Sequence, residues 1–371
     1  MLQDIHFEDP ASLARSLDIE KAKVLVRALL ASLEGIVDQD LIAVTLAPLA
    51  GGRAAHVFRL NPLFEAAGSP PGMPLVVKIV SLADGLAEQA NYDRYVRPFL
   101  PAAYRPELLG FATTGDQAAL CYSFVGTGVS STTLTEFLAR GELKSVDCLL
   151  HGVFDRWYDG RIIHQESDLA RRYLDRFFIE RCKAAAAEAT LSACANMCFG
   201  ARPENGGYIV DGTWLPSPHA VLFATGRELP YSSCIIHGDL NSDNIVFADG
   251  GLVPTLVDFR ETGRGHIFED LVSLELSVRI NYPATASWAD IFETERRIAA
   301  GEWHQSSYAT AIGGIRDAAA RYFGQLEDRT YHYAAAAIGL RVLMIPELSD
   351  AARARVTAST LHAARSLALM T

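Results

Sequence analysis

Three acidic or amide side chains that could serve one chemical step lie between residues 235 and 259. Asp239 is followed five residues later by Asn244, and Asp258 stands at the end of the next short apolar run. Phosphoryl transfer needs a carboxylate that accepts or orients the attacking hydroxyl, together with oxygen ligands that hold Mg2+ on the phosphates. Asp239 fits the first role, and Asn244 and Asp258 fit the second. The spacing predicts such a site; the alternative is a strand–loop–strand whose acidic residues merely occupy turns.

The residues around this spacing resemble a known motif. The pattern His-x-Asp-x-x-x-x-Asn followed by Asp-Phe is that of the protein-kinase-like superfamily. Because Gly238 rather than arginine follows His237, the chain is more similar to the aminoglycoside phosphotransferase and choline-kinase branch than to a eukaryotic protein kinase. The resemblance implies that Asp239 is the catalytic base and that Asn244 and Asp258 hold the metal.

The same resemblance implies supporting roles for two further residues. His237 would hold the catalytic loop rather than move protons, and Asp270 would brace that loop from below. Just beyond the motif, Arg260, Arg264 and His266 put positive charge near the expected transfer site. These three basic residues indicate either an anionic substrate or a plain solvated loop, and the second interpretation is preferred.

One charged residue lies inside an apolar run upstream of the motif. Lys78 is the only charge in the segment 75–80, and a lone ammonium there needs a partner. Glu88, on the helix that follows, is the glutamate well placed to be that partner. The resemblance implies that Lys78 contacts the α- and β-phosphates of ATP while it pairs with Glu88. The alternative is an edge strand from which Lys78 reaches solvent.

Two other segments match the nucleotide site of the superfamily less closely. A glycine-rich loop is expected near residues 50–57, where only its middle glycine, Gly52, is retained. Small residues still permit close approach of backbone to phosphate, but a plain turn is an equal alternative. The adenine-binding hinge, at which backbone groups would recognise the base, is expected at Phe124, Val125 and Gly126.

The chain divides by pattern into three segments. Helical periodicity predicts an N-terminal helical extension over 1–38. Short β-rich runs with one helix between them predict a nucleotide-binding lobe over 39–127. The segment 128–371 is almost entirely helical in pattern, apart from a Pro- and Gly-rich loop at 200–233. The predicted fold class is α+β: a bilobal protein-kinase-like fold with a small N-terminal antiparallel β-sheet lobe that carries one helix and a larger, mostly helical C-terminal lobe.

Composition limits the classes of function. At 371 residues the chain is long enough that two lobes or domains are expected. The net charge of −11 argues against nucleic acid as a partner. No stretch approaches the roughly 18 to 20 apolar residues of a membrane helix, and the start lacks the features of a secretory signal. The six cysteines show no zinc-ligand spacing. The chain is therefore predicted to be cytoplasmic, with no membrane partner.

These features together predict a kinase that transfers the γ-phosphate of ATP, with Mg2+, to a hydroxyl of a small molecule. The C-terminal helices would then form the acceptor pocket. One alternative is a protein acceptor, which the lack of an Ala-Pro-Glu signature after Asp258 disfavours. Another is an inactive kinase-like, nucleotide-binding scaffold with protein partners. The segment 143–173 resembles kinase-like domains of bacterial multi-protein signalling or conflict systems. The choice between ATP and GTP as the nucleotide stays open, and so does the oligomeric state.

Overall fold

The chain folds into two compact units. The first comprises Met1–Thr132 and Ile245–Thr262, and the second comprises Thr133–Asn244 and Gly263–Thr371. The predicted division at residues 38 and 127 stays a prediction. The computed structural model describes residues 4–13, 16–33, 41–49, 55–64, 72–126, 131–142, 150–154, 157–158, 160–164, 173–174, 181–225, 229, 231–248, 251, 253–283, 286–321 and 325–370.

A six-stranded sheet forms the centre of the first unit. Its strands are β1 (Asp4–Phe7), β2 (Leu41–Pro48), β3 (His56–Phe64), β4 (Leu75–Ser81), β5 (Leu108–Thr114) and β6 (Gln117–Ser123). They lie in the order β1-β2-β3-β4-β6-β5. Every neighbouring pair is antiparallel except β1 and β2, which are parallel. The sequence pattern did not predict β1, which lies in the segment expected to be a helical extension.

Helices pack on this sheet and carry side chains toward it. They are α1 (Pro10–Leu13), α2 (Ile19–Ser32), α3 (Leu82–Asn91) and α4 (Arg97–Phe99), with a π-helical turn at Tyr92–Val96 between the last two. The apolar face of α2 includes Leu25, Val26 and Leu29, and these side chains are fully buried in one core with β2, β3 and β4. The helix α3 begins directly after β4, where the Ser81 side chain accepts a hydrogen bond from the Asp84 backbone.

The first unit also contains a later segment of the chain. Within it, β13 (Ile245–Ala248) and β14 (Pro254–Leu256) pair antiparallel, and β7 (Ser131–Thr133) completes a three-stranded sheet with them. The residues 257–262 that follow β14 lead out of this small sheet. They include Asp258, so the position of β14 in this sheet determines where the carboxylate of Asp258 lies in the first unit.

The second unit is mostly helical. Its helices are α5 (Leu134–Ala139), α6 (Arg181–Phe199), α7 (Pro218–Thr225), α8 (Glu269–Asn281), α9 (Trp288–Ala299), α10 (Ser307–Ala320), α11 (Gln325–Val342) and α12 (Asp350–Leu369). The alanine-rich α12 is buried along most of its length and contacts α6, α7, α8, α9 and α11. The predicted fold class, α+β with an N-terminal β-sheet and a helical C-terminal part, is confirmed. Within the described residues, no helix combines the length and apolar character that a bilayer span requires.

The predicted loop at 200–233 is wrong, because most of it is regular structure. It contains α7 and three antiparallel strands: β9 (Arg202–Glu204), β10 (Gly207–Val210) and β11 (Thr213–Pro216). The strands are joined by the two-residue turns Asn205-Gly206 and Asp211-Gly212, in which all four residues have positive φ. Asn-Gly and Asp-Gly are the preferred sequences for this hairpin turn. The glycines therefore mark hairpins here rather than an irregular loop.

A third three-stranded sheet leads into the predicted catalytic loop. It consists of β8 (Ile162–His164), β12 (Tyr231–Ile236) and β15 (Gly263–His266), in the order β15-β12-β8 with antiparallel pairing. The catalytic-loop residues 237–244 begin where β12 ends. The strand β15 returns along β12 and continues directly toward α8, so the loop and the start of α8 are brought together by strand pairing.

A buried ionic network connects four helices of the second unit. Its members are Glu275, Arg279, Glu295, Tyr308, Arg316 and Tyr331. Arg279 lies between the two glutamates, with contacts of 3.1 Å to Glu275 and 2.9 Å to Glu295. Burial alone would raise the pKa of Glu275, but Arg279 and Arg316 overcome this effect and lower the pKa to about 2. The network thus combines two arginines with two glutamates and fixes α8 against α9, α10 and α11.

Candidate active site

Lys78 is the centre of a buried ionic cluster in the first unit. Its Nζ atom lies 2.6 Å from Oε2 of Glu88 and 2.8 Å from Oδ1 of Asp258. The residues Lys78 and Glu88 are 7% and 1% exposed. Burial alone would lower the pKa of Lys78, but the carboxylates of Glu88 and Asp258 overcome this effect and raise it. Lys78 is therefore a permanent cation held between two carboxylates.

The sequence places Lys78 and Glu88 together through β4 and α3. Lys78 lies on a strand with neighbours on both sides, so its side chain cannot leave the sheet at an edge. The helix α3 packs unusually close to β6 at Gly85, where an added Cβ would lie only 2.4 Å from the Cβ of Ala118. Glu88 follows Gly85 by about one helical turn, on the same face. The close approach at Gly85 thus brings the Glu88 carboxylate to Lys78.

Tyr122 is a fourth member of the cluster, and the sequence analysis missed it. Its hydroxyl donates to Oε1 of Glu88 at 2.8 Å, which leaves Oε2 for Lys78. Burial and the Glu88 charge raise the pKa of Tyr122 well above its ordinary value, so the hydroxyl stays a donor. The register of the sheet, which the sequence does not give, places it there: Leu120 is opposite Lys78, and Tyr122 lies on the same face of β6 as Leu120.

Removing the Tyr122 hydroxyl is expected to destabilise the first unit. In Tyr122→Phe, the buried Oε1 atom of Glu88 loses its donor, and a charged group left with an unpaired oxygen costs about 1–3 kcal/mol. Urea unfolding followed by circular dichroism measures the loss. The matched control is Tyr333→Phe, which removes a buried hydroxyl whose acceptor is the neutral Leu222 carbonyl. Equal losses in the two variants would contradict a special role for the Tyr122 hydroxyl.

Asp258 has an uncommon backbone conformation. Its φ is +67°, in the left-handed region that residues with a side chain seldom occupy. The flanking chain holds this conformation in place: Phe259 is fully buried with its ring edge-on to Tyr92, and the Asn91 amide donates to the Arg260 carbonyl at 2.6 Å. Backbone strain of this kind persists where the surroundings over-determine it, and it is concentrated at functional sites.

The three basic residues beyond Asp258 have different surroundings. Arg260 lies 3.5 Å from Asp84 and 3.2 Å from Glu261, so acidic neighbours offset its charge. Arg264 is on β15, and His266 at the end of the same strand is buried among aromatic rings. Arg264 and His266 therefore lie on a strand rather than in the solvated loop that was preferred, and the burial of His266 also does not suit an anionic-substrate site built from these residues.

In the second unit, Asp270 holds the start of the predicted catalytic loop. Its two carboxylate oxygens accept hydrogen bonds from the backbone N–H groups of His237, at 2.7 Å, and Gly238, at 3.0 Å. Gly238 has a φ of +83°, which a glycine adopts without strain. This conformation lets two successive N–H groups meet one carboxylate. The His237 side chain is buried beneath the loop.

Asp239 and Asn244 lie on the half-exposed side of this loop. The Asn244 amide nitrogen donates to the Asp239 carbonyl at 2.8 Å, which orients the amide oxygen of Asn244 away from that contact. Asn241 closes a turn between them by accepting from the Asn244 backbone. Taken singly, the Asn244 amide oxygen in the second unit and the Asp258 carboxylate in the first unit are each of the hard oxygen type that Mg2+ prefers.

The structure describes some, but not all, of the other residues predicted to contact the nucleotide. Phe124, Val125 and Gly126 follow directly after β6, and Gly126 has a φ of +96°. The Arg59 guanidinium lies 5.3 Å from the centre of the Phe124 ring. Gly52 lies outside the described residues, so the predicted glycine-rich loop stays a prediction.

One protein family matches part of the chain. Its description is ternary complex associated domain 9, and the match covers residues 180–337. No curated protein matches the sequence. The matched residues include the predicted catalytic loop, α8 and the buried ionic network of the second unit.

Several solved structures similar to the chain are kinases or phosphotransferases. The aminoglycoside phosphotransferase APH(3'')-Id from Streptomyces rimosus is 17% identical over 86% of this chain and 97% of its own, with a TM-score of 0.44. The amicoumacin kinase hAmiN is 11% identical over 96% and 97%, with a TM-score of 0.46. The macrolide 2'-phosphotransferase MphH from Brachybacterium faecium is 14% identical over 92% and 97%, with a TM-score of 0.39.

These structures belong to the class of protein that the sequence resembles. At these identities, function has to be inferred from this chain's own residues.

Proposed function

We propose that the chain is a phosphotransferase that uses ATP and Mg2+ to phosphorylate a hydroxyl group of a small molecule. The observation that carries the proposal is the Lys78 cluster. A lysine at 7% exposure, pinned between Glu88 and the strained Asp258, is costly to bury without a function that needs a fixed cation. Lys78 is assigned to the α- and β-phosphates of ATP, with Glu88 holding it in place.

The other nucleotide contacts are assigned to backbone. The segment 124–126 would hydrogen-bond the adenine, and Gly52 would let the chain approach the phosphates. Asn244 and Asp258 would supply protein ligands to Mg2+, which neutralises charge that develops on the phosphates when it is bound. Asn244 can do so because its amide nitrogen is engaged by the Asp239 carbonyl, which reserves the oxygen for a metal.

Asp239 is assigned as the catalytic base. As the acceptor oxygen bonds to the γ-phosphorus, its proton passes to the Asp239 carboxylate, and the bond from phosphorus to the departing ADP oxygen breaks. The contacts of Asp270 with the His237 and Gly238 backbones fix the loop that presents Asp239. His237 and Asp270 are therefore structural supports of the loop rather than participants in proton transfer.

The class of acceptor is proposed by analogy with the similar proteins. Those named above act on aminoglycosides, a macrolide and amicoumacin, and a further similar structure is an ethanolamine kinase. We therefore propose a small hydroxyl-bearing acceptor for this chain. The family description points in addition to protein partners. A cytoplasmic location, where ATP is plentiful, remains the prediction from sequence.

A screen for ADP formation tests the proposal. The purified chain is incubated with MgATP and a panel of aminoglycosides, macrolides, choline and ethanolamine, and ADP is quantified by a coupled assay. Acceptor-dependent ADP formation that is lost in Asp239→Asn supports the small-molecule kinase. Transfer of labelled phosphate to a protein band, with no response to the panel, would support a protein acceptor in its place.

A nucleotide-binding scaffold without transferase activity is the second candidate. The family description as a domain associated with a ternary complex favours it, as does the single retained glycine of the predicted phosphate loop. The two functions differ in ADP formation. Both predict that the wild type and Asp239→Asn bind MgATP with the same affinity, but a scaffold forms no ADP with any acceptor.

A further inference from the structure

A buried serine lies inside the predicted catalytic loop, between the base and the metal-binding asparagine. Ser242 is only 2% exposed. Its hydroxyl oxygen is 2.6 Å from the Thr135 hydroxyl and accepts from the Asn281 amide at 2.9 Å. Its backbone N–H donates to the Ser277 hydroxyl at 3.1 Å. We name these four side chains the Ser242 hub.

The hub is built largely by one face of α8. Ser277 and Asn281 follow Asp270 by about two and three helical turns, so all three side chains point the same way. Asp270 holds the start of the loop, and Ser277 and Asn281 hold its later part. The opposite face of α8 carries Glu275 and Arg279, which belong to the buried ionic network. The helix thus joins a rigid network on one side to the whole loop on the other.

The hydrogen bonding leaves the loop little freedom at Ser242. A serine hydroxyl offers one donor and two acceptor positions. Here the Ser242 oxygen accepts a hydrogen bond from Asn281, and the hydroxyls of Ser242 and Thr135 are hydrogen-bonded to each other. Asn281 also donates to the Ser277 carbonyl at 3.1 Å. Ser242 begins the 3-10 turn Ser242–Asn244, so a shift of Ser242 would move Asn244. A network that is satisfied in this way fixes one arrangement of its members.

We propose that the Ser242 hub sets the position of Asn244, and through it the affinity for the metal–nucleotide complex, with Thr135, Ser277 and Asn281 as positioning residues. The inference rests on the proposed function, because it assumes that Asn244 is a metal ligand. Partners that orient metal ligands without touching the metal typically change metal affinity or activity by about 10- to 100-fold when removed.

The test compares hydroxyl removal with hydroxyl retention at Thr135. Thr135→Val keeps the shape of the side chain and removes its hydroxyl, whereas Thr135→Ser keeps the hydroxyl. Ser242→Ala removes the centre of the hub. The matched control is Thr360→Val, which deletes a buried hydroxyl bonded only within α12, to the Val356 carbonyl. Affinity for AMP-PNP is measured by calorimetry in Mg2+ and again in EDTA.

The expected result is a loss confined to the metal-dependent part of the affinity. Thr135→Val and Ser242→Ala lower AMP-PNP affinity in Mg2+ by about 10-fold or more and leave affinity in EDTA unchanged. Thr135→Ser and Thr360→Val behave like the wild type. The proposal is overturned if Thr135→Val and Ser242→Ala retain the full effect of Mg2+, or if Thr360→Val loses as much.

Hydrogen exchange separates failure of this inference from failure of the proposed function. If the wild type binds no nucleotide in either buffer, the proposed function fails, and the hub is judged on the backbone amides of residues 239–244. Faster exchange there in Thr135→Val than in Thr360→Val still supports positioning of the loop by the hub. Exchange that is equally slow in Thr135→Val and Thr360→Val would overturn the proposal that the hub positions the loop, in addition to the proposed function.

Discussion

Asp239→Asn is expected to slow phosphate transfer by about 10²- to 10⁴-fold, the usual scale for a general acid–base group, while nucleotide affinity stays close to that of the wild type. Asparagine keeps the size of the side chain but cannot accept the hydroxyl proton. The backbone carbonyl of residue 239, which accepts from Asn244, is unaltered by the change. The measurement is the rate of ADP formation from MgATP, with an acceptor from the screen or with water as the acceptor.

Asp243→Asn is the matched control for this prediction. It removes the same charge four residues along the same loop, from a side chain that is exposed. If the two variants lose activity equally, the effect belongs to the charge of the loop rather than to proton transfer at Asp239. A wild-type rate in Asp239→Asn would show that another group takes the proton.

Arg279→Met is expected to be among the most destabilising single changes in the second unit, at about 3–5 kcal/mol. Arg279 contacts both Glu275 and Glu295, whose side chains are 2% and 1% exposed. Removing one partner of a buried ion pair leaves an uncompensated charge in the interior, which costs far more than the intact pair contributes. The loss is measured as a fall in the urea midpoint of unfolding. The control is Arg296→Met on α9, whose partner Glu293 is on the surface, where such a pair contributes about 0–1 kcal/mol.

Two further results follow from the same network. The double variant Arg279→Met with Glu295→Gln should be less destabilised than Arg279→Met alone, since the stranded carboxylate is then neutral.

The pKa of Glu275 is about 2, below its ordinary value of 4.5. Its stabilising effect is therefore complete above pH 4.5 and is lost as pH falls toward 2. Glu275→Gln should flatten this acid limb, and an unchanged limb would contradict the assignment.

The elements that position the site could largely be predicted because their signals are local. Lys78 inside an apolar run indicated a buried cation, and the helical pattern after it placed Glu88 within reach. The chain's own spacing of Asp239, Asn244 and Asp258 placed each of them on a loop that follows a short strand. The Asn205-Gly206 and Asp211-Gly212 pairs were equally local signals for two hairpins. The prediction of a loop at 200–233 rested on proline and glycine content rather than on turn type.

Other features could not be predicted, because they arise from contacts between distant parts of the chain. Tyr122 reaches Glu88 across 34 positions, and Thr135 reaches Ser242 across 107. Neither tyrosine in a strand nor serine in a loop is distinctive in one sequence. The strand β1 is similarly hidden: four residues carry too little periodicity, and only parallel pairing with β2 defines it. Residue type predicted which groups could do the chemistry, whereas packing determined which groups hold them.

The central claim, that Asp258 and Lys78 belong to a site for MgATP, is tested most directly by thermal stability with nucleotide. Melting of the wild type and of Asp258→Ala is followed with Mg2+ alone, with ATP in EDTA and with MgATP. Ligand at 100 times its dissociation constant stabilises a protein by about 2.7 kcal/mol, which raises the midpoint by a few degrees. We predict such a shift for the wild type with MgATP and its loss in Asp258→Ala. No shift in the wild type, or an equal shift in the variant, would contradict the account.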